Sequence, residues 1–203
     1  MSLRLNKSLT LLELLIAISL FFVIVLAFTS IQYFIRFHLV TSERQSLLQN
    51  EASLALEHMA KYVCVATGYR GNPGFVWGVT PYGESIITIR VDAGTPASYT
   101  DDILVGYARD SRAGHAGEVF FCPNTNFNHR AGQDGGPTRH EILTRHVPAG
   151  GFVVNIINDP NTGAPIGLGI TVTVRWDINA LFSSDNPEVT LSTTIYSLSS
   201  STG

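Results

Sequence analysis

Glu13 is the residue whose type and position point most clearly to chemistry in this sequence. It is the only formally charged residue between Leu9 and Ile35, in a run made almost entirely of apolar side chains. A carboxylate inside an apolar helix is costly unless a positive group pairs with it, and such residues usually have a functional role. We therefore expect Glu13 to require a positively charged partner.

The run around Glu13 has the length of a membrane-spanning helix. At about 1.5 Å per residue it is long enough to cross a bilayer core of about 30 Å. A cleavable secretory signal carries its small-residue cleavage site after the apolar region, whereas here the small residue, Ser8, precedes it. Cleavage at Ser8 would keep the apolar helix and remove a leader that contains Arg4 and Lys7. The plainer alternative is a signal-anchor helix that happens to contain one glutamate.

The segment from Lys7 to Ala17, KSLTLLELLIA, closely resembles the cleavage and methylation motif of type IV pilins and type II secretion pseudopilins. The resemblance implies that a prepilin peptidase cuts between Ser8 and Leu9 and methylates the new Leu9 amine. It also implies that Glu13, at the fifth mature position, neutralises the amine of a neighbouring subunit. In apolar surroundings a carboxylate and an amine are each unfavourable alone. Pairing them between subunits therefore favours the one axial alignment in which both charges have a partner. Ser8 and Leu9 stand where the family usually has glycine and phenylalanine.

The same resemblance implies a function, partners and a location. The chain is expected to be a structural subunit, not an enzyme, of a type IV pilus or type II secretion filament. The implied partners are other pilin or pseudopilin subunits, the prepilin peptidase, an inner-membrane assembly platform and membrane lipid. Residues 55–63 and the closing segment 187–191 make the chain similar to minor pilins of the W class and J-type minor pseudopilins. The sequence leaves open the choice between a pilus and a secretion pseudopilus.

Four segments are expected: a leader (1–8), a transmembrane and filament-core helix (9–35), an amphipathic helix (36–66) and a β-rich head (67–203). The basic leader predicts a cytoplasmic N-terminus, so the head lies on the periplasmic or extracellular side of the inner membrane. No proline or glycine interrupts the amphipathic helix before Cys64. Its apolar residues recur at spacings of three and four, which predicts one buried stripe: Leu48, Ala52, Ala55, Leu56, Met59 and Val63.

The head contains short segments in which apolar and polar residues alternate, as in half-buried antiparallel strands. We expect strands at residues 85–92, 102–108, 118–122, 140–147, 152–157, 170–178 and 189–196. Such strands would cover the helical stripe. The predicted fold is therefore α+β and pilin-like, with a long N-terminal helix packed on an antiparallel sheet.

Two cysteines, Cys64 at the predicted helix end and Cys122 at a predicted strand end, could form a disulfide in an oxidising compartment. The bond would close a long loop and stabilise the head by about 4 kcal/mol in the chain-entropy model. Two separate buried thiols are the alternative, because spacing alone does not give the geometry.

No cofactor is expected, and a metal site has little support. A zinc or catalytic site would need ligands from separate loops, since no zinc-binding spacing is present among Cys122, His129, His140, His146, Glu118 and Glu141. Asp159 and Asn161 are weak calcium candidates, although an Asx turn explains the same residues.

Other function classes have weaker support. The sequence has no nucleophile elbow, phosphate loop or dinucleotide fingerprint. A net charge of −3 and scattered basic residues argue against a nucleic-acid surface. The remaining alternative is a single-pass, membrane-anchored binding domain that uses the polar loop at residues 123–137. An intact leader on the mature protein would favour that reading.

Overall fold

The structure is a computed structural model that describes residues 10–67, 74–79, 85–92, 94, 102–110, 114–123 and 141–197. The chain divides after Glu43 into two compact units. The first contains the apolar segment, and the second, which begins at Arg44, contains every strand among the described residues.

One helix, α1 (Leu11–Cys64), runs for 54 residues. No proline or glycine interrupts its backbone hydrogen bonds. Three hydroxyls inside the apolar half bond to the helix itself. Ser19 Oγ donates to the Leu15 carbonyl at 2.8 Å, and Ser30 Oγ and Thr29 Oγ1 both donate to the Leu26 carbonyl, at 2.8 and 3.0 Å. These groups are thus satisfied without water. Within the described residues, α1 is the one helix long and apolar enough to cross a membrane.

Five strands form an antiparallel sheet in chain order. They are β1 (Phe75–Val79), β2 (Ser85–Val91), β3 (Ile103–Asp110), β4 (Glu118–Cys122) and β5 (Glu141–Thr144). Tyr107 at the centre of the sheet lies opposite Ile87 on one side and Phe121 on the other. The end of α1 is joined to this sheet, because the Thr67 N–H donates to the Arg90 carbonyl at 2.9 Å.

A second antiparallel sheet contains three strands, β6 (Phe152–Asn158), β7 (Pro165–Arg175) and β8 (Glu188–Tyr196), again in chain order. A short turn joins β6 to β7, and a longer loop at residues 176–187 joins β7 to β8. One face of β7 is buried, and the other is polar. On the polar face two hydroxyl pairs link β7 to β8, Thr171 with Ser192 at 2.8 Å and Thr173 with Thr190 at 2.9 Å.

The second half of α1 and both sheets share one hydrophobic core. The buried residues of α1 are Leu48, Ala52, Ala55, Leu56, Met59 and Val63, which are the six positions of the predicted stripe. Leu48, Met59 and Val63 are at most 1% exposed and belong to a cluster that includes residues of β2, β3, β4 and β7. Burying one such side chain contributes about 1.5 to 3 kcal/mol, so the stripe is a main source of stability.

The structure confirms the α+β class, the antiparallel pairing and the packing of the helix on the strands. It differs from the expectation in several details. The strand predicted at residues 140–147 is limited to Glu141–Thr144, and β7 begins at Pro165 rather than at residue 170. The strands form two sheets rather than one, and β1 is a strand that the sequence pattern did not predict. The alternating sequence pattern also predicts that β7 continues through Ile178, but in the structure the strand ends at Arg175. There the Asp177 carboxylate accepts the Asn179 N–H at 2.9 Å and turns the chain.

Candidate functional site

The start of α1 places Glu13 in a reciprocal capping arrangement with Thr10. The Thr10 N–H and the Thr10 hydroxyl both donate to Glu13 Oε2 at 2.9 Å. In return the Glu13 N–H donates to Thr10 Oγ1 at 3.3 Å. These bonds satisfy N–H groups that a helix start leaves without partners, and they hold the carboxylate where the helix dipole favours negative charge.

Glu13 is therefore fixed close to the predicted processing position. Thr10 is the residue directly after Leu9, so the carboxylate lies beside the amide that follows the predicted new N-terminus. Ser8 and Leu9 themselves lie outside the described residues, and the cleavage between them stays a prediction.

The apolar surface that surrounds Glu13 is fully available for contact. The most apolar stretch of α1 is not buried by any other part of the described chain. Leu11 is 82% exposed, and Phe21, Phe22 and Ile24 are also largely exposed. Such a surface suits lipid or the apolar helices of other chains.

The two cysteines are thiols that do not bond to each other. Phe121 faces the rings of His58 and Tyr62 on α1, so the next residue of β4, Cys122, points to the opposite side of the sheet. Cys64 ends α1 on the near side, where Ala66 bridges to Val91 of β2. Side chains on opposite sides of a sheet do not meet the geometry that a disulfide requires. The disulfide prediction is thus corrected in favour of separate thiols.

Asp159 and Asn161, the weak calcium candidates, lie in the turn between β6 and β7. Asp159 Oδ1 accepts the Asn161 N–H at 2.7 Å, and the Asp159 carbonyl accepts the Gly163 N–H at 2.8 Å. The bond from the Asn161 N–H holds the pKa of the Asp159 carboxyl below its usual 3.8. The Asx turn accounts for both residues in this arrangement.

The other candidate metal ligands do not come together in the described part of the chain, where no group of three or more His, Cys, Asp or Glu side chains has a metal-binding arrangement. Glu118 lies 3.1 Å from His115 Nδ1 and 3.4 Å from Arg145 Nε. Glu141 is exposed at the start of β5. His129 and His140 lie outside the described residues.

His146 instead contacts α1, through a residue that sequence reasoning missed. Its Nδ1 lies 2.7 Å from Glu51 Oε2, and Glu51 Oε1 accepts the Arg145 N–H at 2.8 Å. The hydrogen bond to Glu51 raises the pKa of His146, against the effect of burial. The His146 ring also stacks on Trp176, with ring centroids 6.0 Å apart. Glu51 lies three residues after Leu48, on the buried face of the helix. A charged residue at that position is the sequence feature that could have predicted a polar contact there.

A second polar contact inside the core joins His58 of α1 to Tyr107 of β3. The Tyr107 hydroxyl lies 3.1 Å from His58 Nδ1, and Tyr107 is 0% exposed. Burial raises the pKa of Tyr107 far above its ordinary value and lowers the pKa of His58 below 6.5. Both groups are therefore neutral near pH 7, and the contact is a satisfied polar pair within the core.

No protein-family model, curated protein or solved structure matches this chain. The features that bear on function are thus the capped glutamate, the apolar helix and the head that packs on its second half.

Proposed function

We propose that this chain is a structural subunit of a type IV pilus or type II secretion filament, processed between Ser8 and Leu9 and methylated on Leu9. The observation that carries the proposal is the placement of Glu13. It is the one carboxylate of the apolar segment, and Thr10 holds it at the helix start, next to the predicted new N-terminus.

The geometry of Glu13 suits an ion pair with another chain. A carboxylate has about four acceptor positions, and both bonds from Thr10 go to Oε2. Acceptor positions therefore remain for an ammonium group. In apolar surroundings an unpaired carboxylate and an unpaired amine are both unfavourable, so pairing between subunits selects one axial register.

The apolar segment supports the same proposal. Its exposed side chains suit lipid while the subunit waits in the inner membrane, and they suit neighbouring helices once the subunit enters a filament. Lipid tails are about as apolar as leucine, so this exchange provides little driving force by itself. Specificity then comes from close packing and from the Glu13 pair. Heterologous packing that does not close on itself produces a helical filament.

Mass spectrometry of the intact protein and its N-terminal peptide, extracted from membranes of its native host, tests the processing. We expect a chain that begins at Leu9 and carries one added methyl group. An intact leader would refute the filament proposal and favour the anchored binding domain. A chain cut after the apolar run would refute both.

Glu13→Gln tests the pairing role while preserving the shape of the side chain. We expect normal membrane insertion and incorporation into filaments reduced by about tenfold or more, as for the loss of a charged partner in apolar surroundings. Glu57→Gln is the matched control, because Glu57 is exposed on the part of α1 that lies in the head unit. Incorporation of Glu13→Gln at the level of the control would rule out the ion pair.

A further inference from the structure

The three-stranded sheet ends in a long edge strand, β8. Within the described part of the chain, β8 is the longest strand at the edge of a sheet, and β7 is the only strand with which it pairs. The other edge of the same sheet, β6, contacts β1 and β2 of the five-stranded sheet. The outer side of β8 is therefore the edge of this sheet that no described strand closes.

The ladder between β7 and β8 shows which backbone groups of β8 point away from β7. In an antiparallel pair, hydrogen-bonded residues alternate with residues that make no bond to the partner strand. The Trp176 N–H donates to the Pro187 carbonyl at 3.1 Å, directly before β8. The Ser197 N–H donates to the Ile166 carbonyl at 3.0 Å, directly after it. The odd-numbered residues of β8 thus bond to β7, and the even-numbered residues direct their N–H and carbonyl groups outward.

The outward residues in the middle of β8 are Thr190, Ser192 and Thr194, and all three are exposed. Their N–H and carbonyl groups bond to no residue that the structure describes. The Thr173 N–H, opposite Thr190, confirms the alternation, because it points away from β8 and donates to the Gly151 carbonyl at 2.7 Å. A row of alternating donors and acceptors is what another extended chain needs in order to pair.

The sequence of this edge has none of the usual protection against pairing. Natural edge strands are protected by charged side chains, by proline or by a bulge. Residues 189–196, VTLSTTIY, contain no charged residue, proline or glycine. β8 also pairs with β7 in one continuous register, whereas the register of β6 on β7 shifts between Ile157 and Asn158. The edge is therefore straight, uncharged and suited to accept a strand.

The two faces of β8 determine which side chains an added strand should carry. On one face, the hydroxyls of Thr190 and Ser192 bond to β7, so small polar side chains fit beside them. On the other face, Val189 and Leu191 are half-buried and pack against the core. Aliphatic side chains next to them would cover their exposed surface. A matching strand thus alternates between aliphatic and hydroxyl residues.

We propose that β8 binds an extended, uncharged peptide segment of another protein, which joins the sheet as a fourth strand antiparallel to β8. The backbone of the segment bonds to the outward groups of Thr190, Ser192 and Thr194. Each hydrogen-bonded pair exchanges two bonds, so these three positions provide about six. The inference goes beyond the proposed filament role and does not depend on the processing at Ser8.

An extended segment needs less room beside β8 than a folded partner. Arg44 Nη1 donates to the Asp185 carbonyl at 2.6 Å, shortly before β8 begins. Ser197 Oγ donates to the Ala66 carbonyl at 2.7 Å, directly after β8 ends. The chain from Arg44 to Ala66 thus runs parallel to β8. An added strand occupies about 5 Å next to β8, whereas a second copy paired through its own β8 would bring its helix beside this one.

A peptide with the sequence of residues 168–175 of β7, LGITVTVR, is the probe. It has the alternation required, and β8 already accepts this sequence on its other side. Fluorescence anisotropy of the labelled peptide measures binding to the full-length chain in neutral detergent, and hydrogen exchange locates the site. We expect saturable binding and slower exchange at the outward N–H groups of β8. The N–H groups that bond to β7 should be unchanged.

N-methylation of the peptide identifies the bonds that hold it. When its hydroxyl residues lie on the hydroxyl face of β8, the N–H groups at peptide positions Thr171 and Thr173 point toward β8. Methylating these two nitrogens should weaken binding by about tenfold or more. The matched control carries the methyl groups at peptide positions Ile170 and Val172, whose N–H groups point away, and it should bind as the unmodified peptide does.

Thr194→Pro tests the same edge from the side of the protein. Proline removes an outward N–H of β8 and no bond to β7, so binding should weaken by about tenfold. Thr194→Val is the control, because it keeps the N–H and the β-branched shape, and it should bind normally. Thermal unfolding of both variants verifies that the head remains folded.

Absence of saturable binding up to millimolar peptide, or equal binding of the two N-methylated peptides, would overturn the inference. Faster exchange at the N–H groups that bond to β7 would also overturn it, because the peptide would then have replaced β7. Protection of the edge that rises with chain concentration, without peptide, would assign the edge to a second copy and overturn the inference too. None of these results bears on cleavage between Ser8 and Leu9, so the proposed function is tested separately.

Discussion

Glu51→Gln perturbs the contact between α1 and the chain that follows β5. The Glu51 carboxylate accepts the Arg145 N–H at 2.8 Å and bonds to His146 Nδ1 at 2.7 Å. A hydrogen bond to a charged group contributes about 1.5 to 3 kcal/mol. The side chains of His146 and Glu51 are 37% and 24% exposed, however, so solvent screens the pair. We expect a coupling free energy of about 1 kcal/mol between the two side chains.

The coupling should depend on pH in a defined direction. The hydrogen bond to Glu51 raises the pKa of His146 above 6.5, so it adds stability below pH 6.5 that is lost as pH rises through the folded-state pKa. Burial acts to raise the pKa of Glu51, but hydrogen bonds from His146, Thr144 and the Arg145 N–H outweigh it and hold this pKa below 4.5. Its contribution is present above pH 4.5 and is lost as pH falls through the folded-state value. The coupling is therefore largest between pH 4.5 and 6.5.

A double-mutant cycle with Glu51→Gln and His146→Gln measures this coupling by urea unfolding of the full-length chain in neutral detergent. Trp176 reports on the site by fluorescence, because its ring stacks on His146. A change of about 1 kcal/mol corresponds to a shift of about 2 to 4 °C in Tm for a domain of this size. A coupling that is as large at pH 8.5 as at pH 5.5 would refute the charge-pair reasoning.

Two further predictions concern the core and a strained turn. Met59→Ala should destabilise the head by about 2 to 5 kcal/mol because Met59 is 0% exposed, whereas Leu54→Ala, at a position 60% exposed on the same helix, should change stability by about 0.5 kcal/mol or less. Equal losses of stability for these two variants in thermal unfolding would contradict the buried position of Met59. Gly117→Ala should lower the free energy of unfolding by about 2 to 5 kcal/mol. The φ of Gly117 is +92°, and a Cβ there would lie 2.7 Å from Ile178 Cδ1 and 3.0 Å from the Arg145 carbonyl oxygen. Gly163 is the control, because its φ is +70° but the space around it is open, and Gly163→Ala should lower the free energy of unfolding by only about 1 to 2 kcal/mol. A similar loss of stability for both alanine variants would show that the structure relieves the crowding at Gly117.

The stripe on α1 could be predicted from the sequence because it depends on local periodicity. A helix without proline or glycine repeats every 3.6 residues, so the spacing from Leu48 to Val63 defines one face. β4 was predicted with the bounds it has in the structure, Glu118–Cys122, because apolar alternation is also a local signal. Such patterns identify the elements, but they do not state which elements meet.

The contacts that could not be predicted join residues distant in the sequence. Glu51 and His146 are separated by 95 positions, and neither residue type identifies its partner. The buried Asn186 reads in the sequence as an ordinary turn residue, and only the folded loop brings three carbonyl groups to its side chain. The cysteines show the same limit, because the side of the sheet to which Cys122 points depends on the register between strands.

The buried stripe also determines how the head carries a mechanical load. Tension applied at Arg44 along the axis of the helical part of this unit is parallel to the row of contacts from Leu48 to Val63. Over 15 helical steps of about 1.5 Å, this row extends for about 22 Å. Sliding the helix requires the row to break together, as a shear, whereas peeling it away would break the contacts one at a time. The bonds beyond Cys64, such as that from Thr67 to Arg90, bear force only after the stripe has yielded.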